Sequence, residues 1–194
     1  MSDEFRKQWD ERHAQATDPI RPAEVLLRNQ HLISDRGKAL DLACGLGANA
    51  LELAENGFEA HAWDFSPVAI DCLVAEAHER GLSARLYYEV RDVAAQPPEP
   101  ESFDLIIVSY FLERNLLPHL VKALRPGGLL FYQTFIKEVM LERGPKSTEW
   151  RLANNELLHA FSDLRVHYYL EEGYLGEDSS EDADIAMLVA SKPN

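Results

Sequence analysis

The chain has 194 residues, 46% of them hydrophobic and 27% charged, with a net charge of −14. This is the composition of an ordinary soluble globular protein of one domain, and the acidic balance argues against general binding to nucleic acid or anionic membrane, which require a basic surface. No apolar run approaches the ~18 residues of a membrane helix, the N-terminal MSDEFRKQWDERH has no apolar signal-peptide core, and Cys44 and Cys72 form no metal or redox spacing, so a reduced, cytoplasmic protein without metal is expected.

Apolar spacing predicts a helix over 4–13, with Phe5 and Trp9 on one face. A second helix is predicted over 23–32, behind Pro22. Residues 38–43 form a short apolar run that stops at two glycines, as a buried strand would. A helix over 47–56 ends before Gly57, and a strand follows over 59–64. Ser66-Pro67 supplies an N-cap and a proline at the first helical position, opening a helix that Gly81 stops. Strands are predicted over 85–90 and 103–109; the second, FDLIIVS, is continuously apolar, as in the centre of a parallel sheet.

The Pro-rich stretch between them, 96–100, reads as a surface loop. A helix over 115–124 is broken by Arg125-Pro126-Gly127-Gly128, and a fifth strand covers 129–136. A helix over 155–161 precedes two terminal strands, near 164–170 and 184–190, that can pair as a hairpin. Between these strands EEGYLGEDSSEDAD holds seven of the 33 acids and no basic residue, and it reads as a solvated loop or, more sharply, as a rim that repels anions. Strands alternating with helices imply an α/β domain with a mostly parallel sheet and ligand binding at the carboxyl ends of the strands.

The strand ends therefore carry the functional reading. After the first strand, Cys44-Gly45-Leu46-Gly47-Ala48-Asn49-Ala50 fits Gly-x-Gly-x-x-Ala, a loop that can turn tightly beside a ligand and offer free N–H groups to an anion. After the second, Asp64 lies 17 residues past Gly47, where a carboxylate can take both hydroxyls of a ribose; the simpler alternative is help to the helix start at Ser66. After the third, Asp92 or the neighbouring Val93 amide can meet an adenine edge, or Asp92 can pair with Arg91. After the fourth come Ser109, Tyr110, Phe111 and Leu112, which put a hydroxyl and two aromatics where a substrate would lie.

Two ligands fit this pattern, a nicotinamide dinucleotide and S-adenosyl-L-methionine. Asp41, at the end of the first strand, discriminates between them; the simpler alternative is a buried acid satisfied by loop amides. It repels a pyrophosphate by a few kcal/mol at close range and an effective dielectric near ~20, whereas it attracts the ammonium and sulfonium of S-adenosyl-L-methionine. No His pair, zinc-protease helix or Gly-x-Ser-x-Gly elbow is present, so neither metal nor serine chemistry is expected.

With these residues in place the chain resembles the class I S-adenosylmethionine-dependent methyltransferases. Leu40–Gly47 resembles the first motif of that family, Asp64 its ribose-binding acid, Asp92 its adenine-side residue, and Leu124-Arg125-Pro126-Gly127-Gly128-Leu129 the turn before its fifth strand. The resemblance covers about residues 36–137. Within the class, Asn49, Ala54-Glu55-Asn56-Gly57 and Ala62-Trp63-Asp64 are similar to the small bacterial tellurite-resistance methyltransferases.

The resemblance implies a Rossmann-like fold: one domain with a mostly parallel seven-stranded sheet, an antiparallel last strand and helices on both faces. It divides the chain into an N-terminal cover (1–35), a cofactor core (36–137) and a substrate-side segment (138–194). It also implies a cofactor shell of Asp41, Ala43, Cys44, Gly45, Gly47, Asn49, Asp64, Phe65, Ser66, Asp92, Val93 and Ser109, with Phe5, Trp9 and Arg12 brought over the cofactor by the N-terminal helix. The stretches 110–115 and 137–151, which set substrate choice, depart from the family pattern.

The expected activity is methyl transfer to a small molecule such as a thiol or metalloid oxyanion. The alternatives are a non-catalytic cofactor-binding module of the same fold and an NAD-dependent oxidoreductase. Methyl transfer needs no fixed catalytic signature. The candidates are Tyr110 and Arg114, then Glu113, Tyr132, Arg12 and His13.

Overall fold

The computed structural model describes residues 3–17, 20–33, 37–139, 141, 143–173 and 182–194. Seven strands form one sheet in the order β3-β2-β1-β4-β5-β7-β6. They are β1 (Lys38–Leu42), β2 (Glu59–Asp64), β3 (Leu86–Val90), β4 (Phe103–Ser109), β5 (Leu124–Phe135), β6 (Arg165–Glu171) and β7 (Ile185–Ser191). The first five run parallel, and β7 enters antiparallel between β5 and β6. The expected Rossmann-like fold, with its antiparallel last strand, is what forms. The helices are α1 (Asp3–Ala14), α2 (Glu24–Asn29), α3 (Ala48–Glu55), α4 (Pro67–Glu79), α5 (Leu117–Ala123) and α6 (Glu156–Ala160).

Each sheet face has its own core. On one, Ala39, Ala60 and Ala62 with Leu105, Ile107 and Phe131 pack against α2, α3 and α4. The small alanines of β1 and β2 let the helices lie close to the strands. On the other, Leu40, Leu42, Ile106, Val108, Leu130 and Tyr132 meet α5 and α6. Both faces of β1 and β4 are thus apolar, which is why FDLIIVS reads as a continuous run. β3 is different. It is the sheet edge, only Leu86 of it is buried, and Tyr87, Tyr88 and Val90 are each about half exposed.

Three boundaries differ from the sequence reading. The helix expected over 23–32 ends at Asn29 and finishes as a 3-10 turn. The helix expected from Asn115 begins as a 3-10 turn, Arg114–Leu116, and becomes α-helical at Leu117, with Pro118 in its first turn. The Arg125–Gly128 break, expected between the helix and the fifth strand, lies inside the strand. β5 starts at Leu124 and bulges, so that the register jumps from Phe103↔Leu124 to Leu105↔Leu129. Pro126 lacks a ladder donor and is accommodated in the bulge. Gly128 is required there, because a Cβ would lie 2.9 Å from the Arg125 carbonyl oxygen. The centre of the acidic stretch, 174–181, lies outside the described residues, and the anion-repelling rim expected of it lies there too.

Candidate functional site

At the end of β1 the chain passes through left-handed backbone at Ala43 (φ 55°), Gly45 (53°) and Gly47 (77°) before α3 begins. Alternate inversions of this kind curl the loop and turn its N–H groups inward. At Gly47 a side chain is excluded twice, by φ and by Leu73, whose Cδ1 would lie 2.3 Å from a Cβ.

Asp41 is fully buried beneath this loop. Its Oδ2 accepts the Ala50 N–H at 3.0 Å and its Oδ1 accepts from Asn49 Nδ2 at 3.3 Å. Burial pushes its carboxyl up to about 7, against the opposing hydrogen bonds of Asn49 and Ala50. The side chain of Asn49 continues outward, since its Oδ1 accepts the Ala23 N–H at 2.8 Å and its Nδ2 lies 3.0 Å from Ser109 Oγ. Asp41 therefore does not face the cavity; Asn49 stands between the two.

Asp64, at the end of β2, is nearly buried, and its carboxylate divides between two backbone donors. Oδ2 accepts Gly45 N–H at 2.8 Å and Oδ1 accepts Ser66 N–H at 2.9 Å. Burial raises its pKa. Ser66 caps α4 by accepting the Ala69 N–H at 3.1 Å, and its hydroxyl donates to Asp10 of α1. Phe65 stacks on Phe5 of α1 with ring centroids 5.8 Å apart, and Phe5 stacks in turn on Trp150. Trp9 stacks on His13 and carries Arg12 over its ring at 4.8 Å. His13 sits over Gly45 and beside Asp64; desolvation lowers its pKa, and Asp64 pulls the other way.

Asp92 is held locally, with its Oδ1 accepting the Ala94 and Ala95 N–H groups at 3.1 and 3.3 Å, while Val93 is buried in the core. Arg91 donates its N–H to the Asp64 carbonyl at 2.7 Å and lies over the Trp63 ring at 4.0 Å. These contacts join the ends of β2 and β3.

An open cavity of about 420 Å³ lies at the carboxyl ends of β1 and β4, bordered by Arg21, Glu24, Gly47, Asn49, Ser109 and Tyr110. A second, of about 400 Å³, lies beyond Leu46 between His13 and α4, with Cys72, Glu76 and Arg80 on its wall. Of the sequence candidates, Cys44, Gly47, Asn49, Ser109 and Tyr110 meet at the first cavity, and Gly45, Asp64, Phe65 and Ser66 cluster beside it under α1. Arg114 is elsewhere. Its guanidinium pairs with Glu156 at 2.7 and 3.0 Å and donates to the Glu149 and Arg151 carbonyls. Tyr132 points into the α5 face, where its hydroxyl donates to the Phe111 carbonyl at 2.8 Å. Cys44 is buried, and burial pushes its thiol up, as expected of a filler. No cluster of potential metal ligands occurs among the described residues.

Sequence reasoning missed Asp10, Trp150, Arg21 and Gln133. Asp10 shares a helix face with His13, a signal that was available. Gln133 lies in an apolar strand, and only the structure brings its amide to Tyr110 and Val25.

The chain matches the Methyltransferase domain family over residues 39–128. It is 34% identical over 134 residues to trans-aconitate 2-methyltransferase of Variovorax paradoxus (strain S110), an alignment covering 66% of this chain and 47% of that protein. It is 32% identical over 145 residues to the probable S-adenosyl-L-methionine-dependent methyltransferase TehB of Haemophilus influenzae (strain ATCC 51907 / DSM 11121 / KW20 / Rd), covering 69% of this chain and 48% of that one. The chain thus spans about half the length of these curated relatives. The crystal structure of TehB from Haemophilus influenzae superimposes with a TM-score of 0.71 at 22% identity, covering 91% of this chain and 63% of that one. The geranyl diphosphate C-methyltransferase of Streptomyces coelicolor A3(2), solved with S-adenosyl-L-homocysteine, gives 0.66 at 14% identity, covering 87% and 76%. Sheet order and glycine loop agree with the match of residues 39–128 to a methyltransferase domain: the chain is similar to the S-adenosylmethionine-dependent methyltransferases, the tellurite-resistance type among them.

Proposed function

We propose that the protein is a cytoplasmic enzyme that transfers the methyl group of S-adenosyl-L-methionine to a small-molecule acceptor, such as a thiol, a metalloid oxyanion or another small nucleophile. One observation carries the reading: the ends of β1, β2 and β4 are tied together at a single cavity region by Asp64–Gly45 and Asn49–Ser109. A carboxylate has about four acceptor sites. The Gly45 and Ser66 N–H groups use one on each oxygen of Asp64 and the Phe65 N–H leans on the same carboxylate, which leaves one acceptor site for a ribose hydroxyl.

On this reading Ala43, Cys44, Gly45, Gly47 and Asn49 surround the methionyl tail, and the start of α3 offers its free N–H groups to the carboxylate. Asp41 acts through its charge from behind Asn49. Asp64, Phe65 and Ser66 take the ribose side, Asp92 and Val93 the adenine side, and Ser109 the reacting end. Trp9 and Arg12 close the site from α1. Residues 1–35 serve as cover, 36–137 as cofactor core and 138–194 as the substrate side.

The cofactor supplies a methyl group already activated by positive sulfur. The chain's own residues need to align the acceptor and exclude water, and orientation can contribute ~7–11 kcal/mol. A base is required only for an acceptor that arrives protonated. Arg114 has the role of fastening the substrate-side segment through Glu156. The test is calorimetric titration with S-adenosylmethionine, S-adenosylhomocysteine and NAD. Micromolar binding of the two adenosyl ligands and none of NAD is expected. NAD binding alone would reverse the cofactor assignment, and binding without turnover across an acceptor screen of thiols, metalloid oxyanions and carboxylates would favour a binding module.

A further inference from the structure

Phe5, Trp9, Asp10 and His13 are the half-buried residues of α1, and their spacing puts them on one face of the helix. That face meets two separate parts of the fold. Phe65 stacks on Phe5, Ser66 donates to Asp10, and Gly45 lies under His13; all three partners belong to the loops that follow β1 and β2. Phe5 also stacks on Trp150, with ring centroids 6.2 Å apart and the planes only 15° from parallel. Trp150 comes from the segment after β5, about 85 residues further along the chain than Phe65.

Trp150 is 43% exposed, yet its backbone is held on both sides. It ends a 3-10 turn, Thr148–Trp150, which Ser147 caps by accepting the Glu149 N–H at 3.3 Å. Arg114 donates Nη1 to the Glu149 carbonyl at 2.6 Å and Nη2 to the Arg151 carbonyl at 2.9 Å, so one guanidinium grips the residues before and after Trp150. Glu156 holds that guanidinium at 2.7 and 3.0 Å and accepts the Ala153 N–H at 2.7 Å. Arg151 is buried and turns back on its own segment, with Nε on the Pro145 carbonyl at 2.8 Å and Nη1 on the Ile136 carbonyl at 2.9 Å. Leu152, also buried, donates its N–H to the Phe135 carbonyl at 2.9 Å. A planar guanidinium fork fixes direction as well as distance. The result is an exposed indole on a rigid backbone, facing the one helix that has no buried residue of its own.

We propose that Trp150 is the fixed post against which α1 closes, and that Arg114 is the residue that positions it. The hold of α1 on the cofactor, which rests on the function proposed above, is then set from the segment after β5: displacing the Glu149–Arg151 turn loosens the helix.

The test begins without ligand. α1 carries the trypsin sites Arg6, Lys7 and Arg12, and a docked helix is cut only when it lifts. Brief digestion of the full chain, with cleavage inside α1 followed by mass spectrometry, reads the docking. Trp150→Ala should speed that cleavage about threefold to tenfold, the value of a ring stack, with a thermal midpoint within about 2 °C of the unaltered protein. Trp150→Phe keeps a ring and should stay within about twofold of the unaltered rate. Arg114→Lys keeps a charge facing Glu156 but not the fork; it should speed cleavage about twofold to fivefold and add nothing when Trp150 is already alanine. Trp150→Ala should likewise add nothing to Phe5→Ala, since both remove the same stack. Release of S-adenosylhomocysteine, followed by stopped flow, should quicken in the same order as cleavage. Unchanged cleavage in Trp150→Ala, or effects of Trp150→Ala and Phe5→Ala that multiply, would overturn the post. Faster cleavage with unchanged release would overturn its hold on the cofactor. Failure of the unaltered protein to bind S-adenosylhomocysteine would remove the function proposed above, and cleavage alone would then decide the docking.

Discussion

The glycine loop and the N-terminal helix border the same site but are built in opposite ways. Beneath the loop, Asp41, Asn49 and Ser66 are buried and every polar atom of Asp41 and Asn49 is bonded to another element of the fold. The helix α1 has no buried residue. It is held by ring contacts of Phe5 and by Asp10 on Ser66. A network of buried hydrogen bonds fixes one geometry, because breaking any bond leaves an unsatisfied group away from water. Exposed ring contacts can be remade at little cost. On the function proposed above, the loop holds the cofactor and the helix lets it in and out.

Replacing the buried acid should break this contrast most severely. Asp41→Ala orphans the Ala50 N–H and one Asn49 donor, and it should lower unfolding free energy by about 2–4 kcal/mol in urea titration. Loss of less than about 0.5 kcal/mol would mean that the network does not hold the loop. The same carboxyl sets a pH dependence. Its folded pKa, about 7, is above its unfolded value near 3.8, so the folded state binds the proton more tightly. Its contribution is full below about pH 4 and is lost as pH rises towards 7. Asp41→Asn should flatten that part of the stability profile; an unchanged slope would assign it to other groups, such as Asp64.

Asp64→Ala should act on ligand more than on fold. We expect S-adenosylhomocysteine affinity to fall at least about tenfold, the value of hydrogen bonds to a charged group, with a smaller change in thermal midpoint than Asp41→Ala gives. An unaltered affinity would leave Asp64 as a helix-start residue only. Ser66→Ala removes the cap of α4 and the hydroxyl that meets Asp10, and it should cost about 1 kcal/mol. The smallest effect belongs to Phe5→Ala, which removes an unburied ring and should change stability by less than about 0.5 kcal/mol while raising the rate of cofactor release. A large stability loss there would show that α1 belongs to the rigid part.

The legibility of the sequence follows the same division. The sheet was readable because its central strands are apolar on both faces and end at glycines or aspartates, as in Leu40–Gly47 and Ala62–Asp64. The turn chemistry of Ser66-Pro67 placed the start of α4 to the residue. The Pro-Gly-Gly bulge was not readable, because a proline and two glycines signal a break equally well whether the strand has yet to begin or only detours. Within the site, Asp41 and Asp64 were found, but not that Asp64 spends both oxygens on backbone donors and Asp41 one on a backbone donor and one on Asn49. Gln133 was invisible because its partners, Tyr110 and Val25, are 23 and 108 residues away, and no local pattern encodes such a meeting.

The bare edge of β3 has a practical consequence. Tyr87, Tyr88 and Val90 stand half exposed on a strand with no outer neighbour among the described residues, and such an edge is a template for strand addition. Glu89 and Arg91 are the charges that interrupt it. Heating should therefore end in precipitation nucleated at this edge, and Tyr88→Lys, which adds a charge to the exposed strand, should yield a protein that survives a heating cycle in solution.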